Sequence, residues 1–176
     1  MGDIDWEKLG KVSPVRNQGS CDAGYAFCTT SLFESCLLFQ KQNVSLAPQQ
    51  LIDCGGDEYT IFGCNGGSRS GAINFVLDNG LENDRDYPYE GKQNKCKTST
   101  GSNKFKLTMS DANGCTEMRN KLITAPMTTA VNIEGWQNYR SGIFSDCGPK
   151  VSHDIYLVGA TDNYWRLKNS WGVRWG

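Results

Sequence analysis

The chain contains one histidine, His153, and Asn169 follows it within the run Lys168 to Gly172. An imidazole can activate a thiol nucleophile, and an asparagine can hold that imidazole in its working orientation. A cysteine in this role is expected about 130–150 residues upstream, in a motif that reads Cys-Gly-[Ser/Ala]-Cys-[Trp/Tyr]. The segment Gln18 to Phe27, QGSCDAGYAF, follows this motif but has Gly24 at the second cysteine. The pattern therefore indicates acyl-transfer chemistry from which the attacking sulfur is missing.

Further segments follow the order found in one family of cysteine peptidases. They are Asp5-Trp6, Val15 to Gly19, Leu46 to Cys54, Gly63 to Gly67 and Asp86 to Tyr89. With Gln18 to Phe27, His153 and Lys168 to Gly172, they resemble the papain family, and its cathepsin L-like members in particular. The resemblance extends over nearly the whole chain. It implies an α+β fold of two lobes: a helical N-terminal lobe and a C-terminal lobe built on an antiparallel β-sheet or barrel.

Local patterns agree with this architecture. Apolar residues surround most of a helix predicted from Gly24 to Gln40, which indicates burial on nearly all sides. The other predicted elements are helices from Ser68 to Asn79, ended by Gly80, and from Thr116 to Thr124, and strands at Ala130 to Ile133, Asp154 to Val158 and Tyr164 to Lys168. We expect residues 1–176 to form one papain-like domain, with a helical lobe at about 20–105 and a β lobe at about 106–176 plus the N-terminal segment. By resemblance, a pro-segment and the final strands of the second lobe are expected to be absent from this sequence.

The resemblance assigns roles to individual residues. His153 is the general base, Asn169 orients it, and Trp171 shields their contact. Gln18 and the backbone N–H of residue 24 donate hydrogen bonds to the developing oxyanion. Gly24 retains that N–H but has no nucleophile, and removing the nucleophile of a comparable triad costs on the order of 10⁶ in kcat. A lone histidine is more often structural than catalytic, but the Asn-Ser-Trp-Gly context favours the catalytic interpretation.

The same resemblance predicts the residues that line a substrate cleft: Asp22, Ala23, Tyr25, Gly66, Gly67, Ser68, Arg69, Ser152 and Trp171. Several depart from the family pattern. Asp22 replaces a glycine and Tyr25 a tryptophan, Asp154 stands where a small apolar residue is usual, and Arg69 lies in a segment that is normally aromatic or apolar. Asp22 can also be interpreted as a helix cap, and Arg69 as a solvated surface charge or as a determinant that favours acidic ligands.

Eight cysteines in 176 residues indicate an oxidising compartment. The family resemblance pairs Cys21 with Cys64 and Cys54 with Cys96. It leaves Cys147 free or paired outside the family pattern, with Cys115 as one candidate. Cys28 and Cys36 are interpreted as small buried hydrophobes and not as substitute nucleophiles. A zinc site is disfavoured because the chain has one histidine and no Cys-x-x-Cys pair, so we predict no metal and no cofactor.

Charge and hydropathy exclude two classes of partner. Lysine and arginine number 18 and aspartate and glutamate 19, for a net charge of −1, and no basic block predicts nucleic-acid binding. No apolar run has the length of a membrane span. Family resemblance and cysteine content predict a lysosomal, vacuolar or extracellular location, although no signal peptide precedes Asp5 in the given chain.

These observations predict a catalytically inactive papain-like homologue, a pseudoprotease. It would bind a peptide or protein in its cleft, or serve as one component among neighbouring subunits of an assembly. The departures beside Gly24 favour a natural loss, since an engineered knock-out normally places alanine or serine there and leaves the neighbours unchanged. One alternative is a cathepsin L-like endopeptidase seen as a nucleophile mutant, which would hydrolyse peptide bonds by thiolate attack. Another is a structural subunit whose cleft is unused.

Overall fold

The computed structural model describes residues 2–176. A four-stranded antiparallel sheet is centred on one long strand, which pairs with each of the other three. The strands are β1 (Ile4–Asp5), β2 (Met127–Val131), β3 (His153–Ala160) and β4 (Trp165–Lys168). In the central strand β3, His153 pairs with Val131 of β2, and Leu157 pairs with Leu167 of β4. The N-terminal segment thus joins the C-terminal sheet, because Ile4 pairs with Ala160.

Four α-helices accompany the sheet: α1 (Gly24–Phe39), α2 (Pro48–Cys54), α3 (Arg69–Asn79) and α4 (Gly114–Leu122). Thirteen of the sixteen residues of α1 are buried, so it has no solvated face. It packs against β3 on one side and against α2 and α3 on the other. This confirms the predicted α+β class and explains why the sequence of α1 is apolar on nearly all sides.

The ends of these helices refine the sequence predictions. The N-cap of α1 is Ala23, without a side-chain cap, so the interpretation of Asp22 as a helix cap is wrong. Ser68 caps α3, because its Oγ accepts the Gly71 N–H at 3.1 Å. The same helix ends at Asn79 and is followed by Gly80, whose φ of +73° lies in the region that favours glycine. No membrane-spanning helix is present between residues 2 and 176.

Both predicted disulfides are present, Cys21–Cys64 and Cys54–Cys96. The first joins the segment before α1 to the Gly63–Asn65 turn. Cys115 and Cys147 are free and exposed, so the pairing considered between them does not occur.

A buried charged cluster lies where α1 meets β4, and the sequence did not reveal it. Glu34, 2% exposed, accepts hydrogen bonds from the Leu46 N–H at 2.8 Å and from the Ser13 hydroxyl. Lys168 donates to Ser13 Oγ and to Ser31 Oγ, both at 2.9 Å. Burial lowers the pKa of Lys168 to about 8, and burial raises the pKa of Glu34 against the opposing effect of Lys168.

Candidate active site

The imidazole of His153 and the side-chain amide of Asn169 form a buried pair. His153 lies at the start of β3 and Asn169 directly follows β4, so antiparallel pairing of these strands brings them together. His153 Nε2 lies 3.0 Å from Asn169 Oδ1, and the two residues are 7% and 6% exposed. The ring of Trp171 packs against the imidazole, with 5.4 Å between the ring centroids. The structure therefore brings these three predicted residues into one site.

Backbone contacts determine which nitrogen of His153 carries the proton. The N–H of Ser170 donates to Asn169 Oδ1 at 2.8 Å, which turns the amide oxygen toward the imidazole. Because that oxygen can only accept, His153 Nε2 must be the donor in their 3.0 Å contact. In the neutral ring the lone pair is then on Nδ1. This is the nitrogen that faces Gly24, so the base is held in the tautomer that could take a proton from residue 24.

Gly24 is the first residue of α1 and lies against this imidazole. A Cβ built on Gly24 would be 2.8 Å from His153 Cε1, 3.0 Å from Nδ1 and 3.0 Å from the backbone oxygen of Asp154. These approaches are closer than side chains normally make. The histidine ring therefore occupies part of the volume that any side chain at residue 24 would need.

Gln18 is hydrogen-bonded to the segment after β4 that carries Asn169. Its Nε2 donates to the Cys21 backbone oxygen at 2.9 Å, and its Oε1 accepts from Ser170 Oγ at 2.6 Å. Its backbone N–H donates to the Ser170 oxygen at 2.8 Å. These bonds connect the segment before α1 with Asn169-Ser170, so the predicted oxyanion donor and the His153–Asn169 pair belong to one hydrogen-bonded unit.

An open pocket of about 220 Å³ lies beside Gly24, between the two lobes. The helical lobe contributes Asp22, Gly24, Tyr25, Gly66 and Gly67. The β lobe contributes Ala130, Val151, Ser152, His153 and Asp154. Ala130 and Val151 were not predicted for the cleft, and Asp154 was noted only as a departure from the family pattern, since only the fold places these residues opposite α1.

Four residues predicted for the cleft do not line this pocket: Ala23, Ser68, Arg69 and Trp171, the last of which packs against His153. Ala23 is fully buried in the core as the N-cap of α1, so its assignment to the cleft lining is corrected. Ser68 and Arg69 begin α3 next to the pocket without lining it. Tyr25 does line the pocket; its ring packs against Gly67, and its hydroxyl donates to the Gly63 oxygen at 2.9 Å.

Arg69 and Asp154 form an ion pair between the lobes. Arg69 Nη1 lies 2.7 Å from Asp154 Oδ1, and the side chains are 30% and 21% exposed. The interpretation of Arg69 as a solvated surface charge is therefore wrong. Burial raises the pKa of Asp154, while Arg69 acts in the opposite direction. Sequence alone had no signal for this pair, because α3 and β3 meet only in the folded chain.

Cys28 lies one helical turn inside Gly24 and is 3% exposed. Its thiol donates to the Tyr25 backbone oxygen, and burial raises its pKa far above the ordinary value for a cysteine. A thiol that stays protonated and enclosed is not a nucleophile, so Cys28 does not replace the missing sulfur. Throughout residues 2–176, no group of three histidine, cysteine or acidic side chains is arranged to hold a metal ion.

The two lobes, the cleft between them and the His–Asn pair at its centre define a papain-like architecture. The family model "Papain family cysteine protease" matches residues 2–176, and the chain belongs to that family.

Similar proteins include cathepsin L-like peptidases. Cathepsin L 2 of Paramecium tetraurelia is 36% identical over 99% of this chain and 57% of its own length. The cathepsin L-like proteinase of Phaedon cochleariae is 38% identical over 98% of this chain, which again covers 57% of that relative. Among solved structures, the bromelain protease from Ananas comosus in complex with the E64 inhibitor is 31% identical, with a TM-score of 0.88, covering 100% of this chain and 86% of that one. The predicted family and fold are thus confirmed.

We expect NMR of the single histidine to show a proton on Nε2 and none on Nδ1 when the ring is neutral. The reason is the fixed orientation of Asn169, which offers only an acceptor to Nε2. Long-range ¹H–¹⁵N spectra of the imidazole measure this directly. Asn169→Ala should abolish the preference, whereas Asn163→Ala, at an exposed position, should leave it intact. A proton found on Nδ1 in the unmodified protein would contradict the assigned geometry.

Proposed function

We propose that the protein is a catalytically inactive papain-family member that binds extended peptide or protein segments in the pocket beside Gly24. The observation that carries the proposal is the absence of any side chain at Gly24, next to a base that is still oriented by Asn169. Without a thiolate no acyl-enzyme can form, because the nucleophile is the group that attacks the substrate carbonyl. The pocket remains open between the two lobes and requires no cofactor or metal.

The proposal is supported by the geometry around residue 24. The imidazole stands too close to Gly24 for an ordinary side chain there, and Asp154 holds Arg69 across the lobes. These features favour a cleft that has changed together with Gly24 over an enzyme altered at one position. The two disulfides and the cathepsin L-like relatives support a lysosomal, vacuolar or extracellular location.

The direct test combines binding and turnover on the unmodified protein. Fluorescently labelled extended peptides should bind, as measured by anisotropy, and remain intact by mass spectrometry after prolonged incubation. Ser152→Trp fills the pocket and should abolish binding, because Ser152 lies in its wall. Ser102→Trp, at an exposed position outside the pocket, is the matched control and should bind normally.

Two results would contradict the proposal. Cleavage by the unmodified protein would show an active peptidase. Failure of a broad peptide set to bind would instead favour a structural subunit with an unused cleft, whose partners are neighbouring chains of an assembly.

A further inference from the structure

Two carboxylates face the pocket beside Gly24, one from each lobe. Asp22 comes from the segment before α1, and Asp154 is the second residue of β3. Neither is a usual choice in this position by the family pattern. Both line the same pocket and interact electrostatically, so they act together on whatever side chain a bound peptide places there.

The positive charge that pairs with Asp154 does not line the pocket. Arg69 makes its 2.7 Å contact with Oδ1 of Asp154 but is not part of the pocket wall. Asp22 is exposed and, within residues 2–176, no lysine or arginine lies within ion-pair distance of it. No lysine or arginine lines the pocket itself. The wall thus presents an unpaired carboxylate, a second carboxylate with one oxygen engaged, and the His153 ring.

The two carboxylates, Asp22 and Asp154, are close enough for the charge of one to affect the pKa of the other. Burial is the main cause of the raised pKa of Asp154, Arg69 opposes it, and the negative charge of Asp22 adds to the rise. Two like charges that share a pocket repel each other, and a cation placed between them relieves that repulsion.

We propose that this cleft selects extended peptides that place a lysine or arginine side chain beside Gly24, with Asp22 and Asp154 as the specificity-determining residues. This inference rests on the proposed peptide-binding function. A long basic side chain can lay its methylene groups along Ala130 and Val151 while its charged end reaches a carboxylate.

Apolar and acidic side chains are disfavoured in this pocket. An apolar side chain would remove water from the carboxylates without offering them a hydrogen-bond donor, which is unfavourable. An acidic side chain would be repelled by Asp22, and it would compete with Asp154 for Arg69. The earlier interpretation of Arg69 as a determinant for acidic ligands is therefore replaced by a preference for basic ones.

The test uses three labelled peptides that share one backbone and differ at a single residue, which is lysine, leucine or glutamate. We expect the unmodified protein at pH 7 to bind the lysine peptide about five- to tenfold more tightly than the leucine peptide, and the glutamate peptide most weakly. The advantage of lysine over leucine should shrink with added salt, because it is electrostatic.

Asp22→Asn keeps the shape of the side chain and removes its charge. It should reduce the ratio of lysine-peptide to leucine-peptide affinity to about twofold or less. Asp3→Asn is the matched control: it removes one charge from an exposed position outside the pocket and should retain the full preference. Equal thermal midpoints of the three proteins will show that the fold is intact.

The possible failures are distinguishable. If leucine and lysine peptides bind equally well, or if Asp22→Asn keeps the preference, the charge selection is wrong and peptide binding stands. If none of the three peptides binds, the proposed peptide-binding function itself is contradicted.

Discussion

The Gly24→Cys variant is expected to hydrolyse fluorogenic dipeptide and tripeptide substrates, whereas the unmodified protein does not. The variant would place a thiol at the N-terminus of α1, beside Nδ1 of an imidazole that Asn169 already orients. A helix N-terminus and an adjacent imidazolium both stabilise a thiolate. The general base His153 and the amide of Asn169 that orients it are thus already in place before the nucleophile is restored.

The size of the gain follows from two opposing effects. Loss of the nucleophile in a comparable triad costs on the order of 10⁶ in kcat. The new Cβ would, however, lie 2.8 Å from His153 Cε1 and 3.0 Å from the Asp154 backbone oxygen, so the ring must withdraw and the backbone must adjust. Misplacement of a catalytic group by about 1 Å costs roughly 10²-fold. We therefore expect a gain of about 10⁴-fold in kcat over the unmodified protein.

Gly24→Ala is the matched control for this experiment. It introduces the same Cβ and the same crowding against His153 but no sulfur, so it should be as stable as Gly24→Cys and remain inactive. Activity of Gly24→Cys should disappear on adding His153→Ala or on treatment with a thiol reagent. A folded Gly24→Cys variant with no turnover would show that the cleft can no longer support catalysis, and turnover by the unmodified protein would contradict the pseudoprotease assignment.

The sequence predicted those parts of the fold that depend on local pattern. The helix predicted from Gly24 to Gln40 is α1, which ends at Phe39, one residue earlier. The predicted helix from Thr116 to Thr124 is α4, which begins at Gly114, two residues earlier. Helix α2 was treated only as a family motif, because seven residues give too few turns for a 3.6-residue period to be recognised.

What the sequence could not predict depends on contacts between distant segments. Strand β1 has two residues and is defined only by its pairing with β3. The Arg69–Asp154 pair joins residues 85 positions apart, and neither residue type indicates its partner. The crowding at Gly24 likewise depends on where β3 places the His153 ring. The residue types and motif order of the candidate site were thus predictable from the sequence. The charges that line the site and the space available beside Gly24 were not.

The buried cluster of Glu34 and Lys168 provides the second large prediction, which concerns stability. Replacing Glu34 with alanine should lower the free energy of unfolding by about 3–5 kcal/mol at pH 7, a large fraction of the roughly 5–15 kcal/mol typical of a domain. The variant leaves the Leu46 N–H without its acceptor. It also removes the carboxylate to which Lys168 is connected by way of the Ser13 hydroxyl. Urea unfolding measures the change. Glu34→Gln keeps the shape and an acceptor for Leu46, so it should cost less.

The pH dependence separates the loss of the charge pair from a simple packing defect. The folded-state pKa of Lys168 is lowered from 10.5 to about 8, so unfolding takes up protons between these values, and the unmodified protein becomes more stable as the pH rises through that window. In Glu34→Ala the amine lacks its counter-charge and loses its proton at still lower pH. The difference between the two proteins should therefore shrink as the pH rises from 7 to 9. A destabilisation that is the same at both pH values would assign it to the lost packing and hydrogen bonds around Glu34, and would show that Lys168 does not depend on this carboxylate.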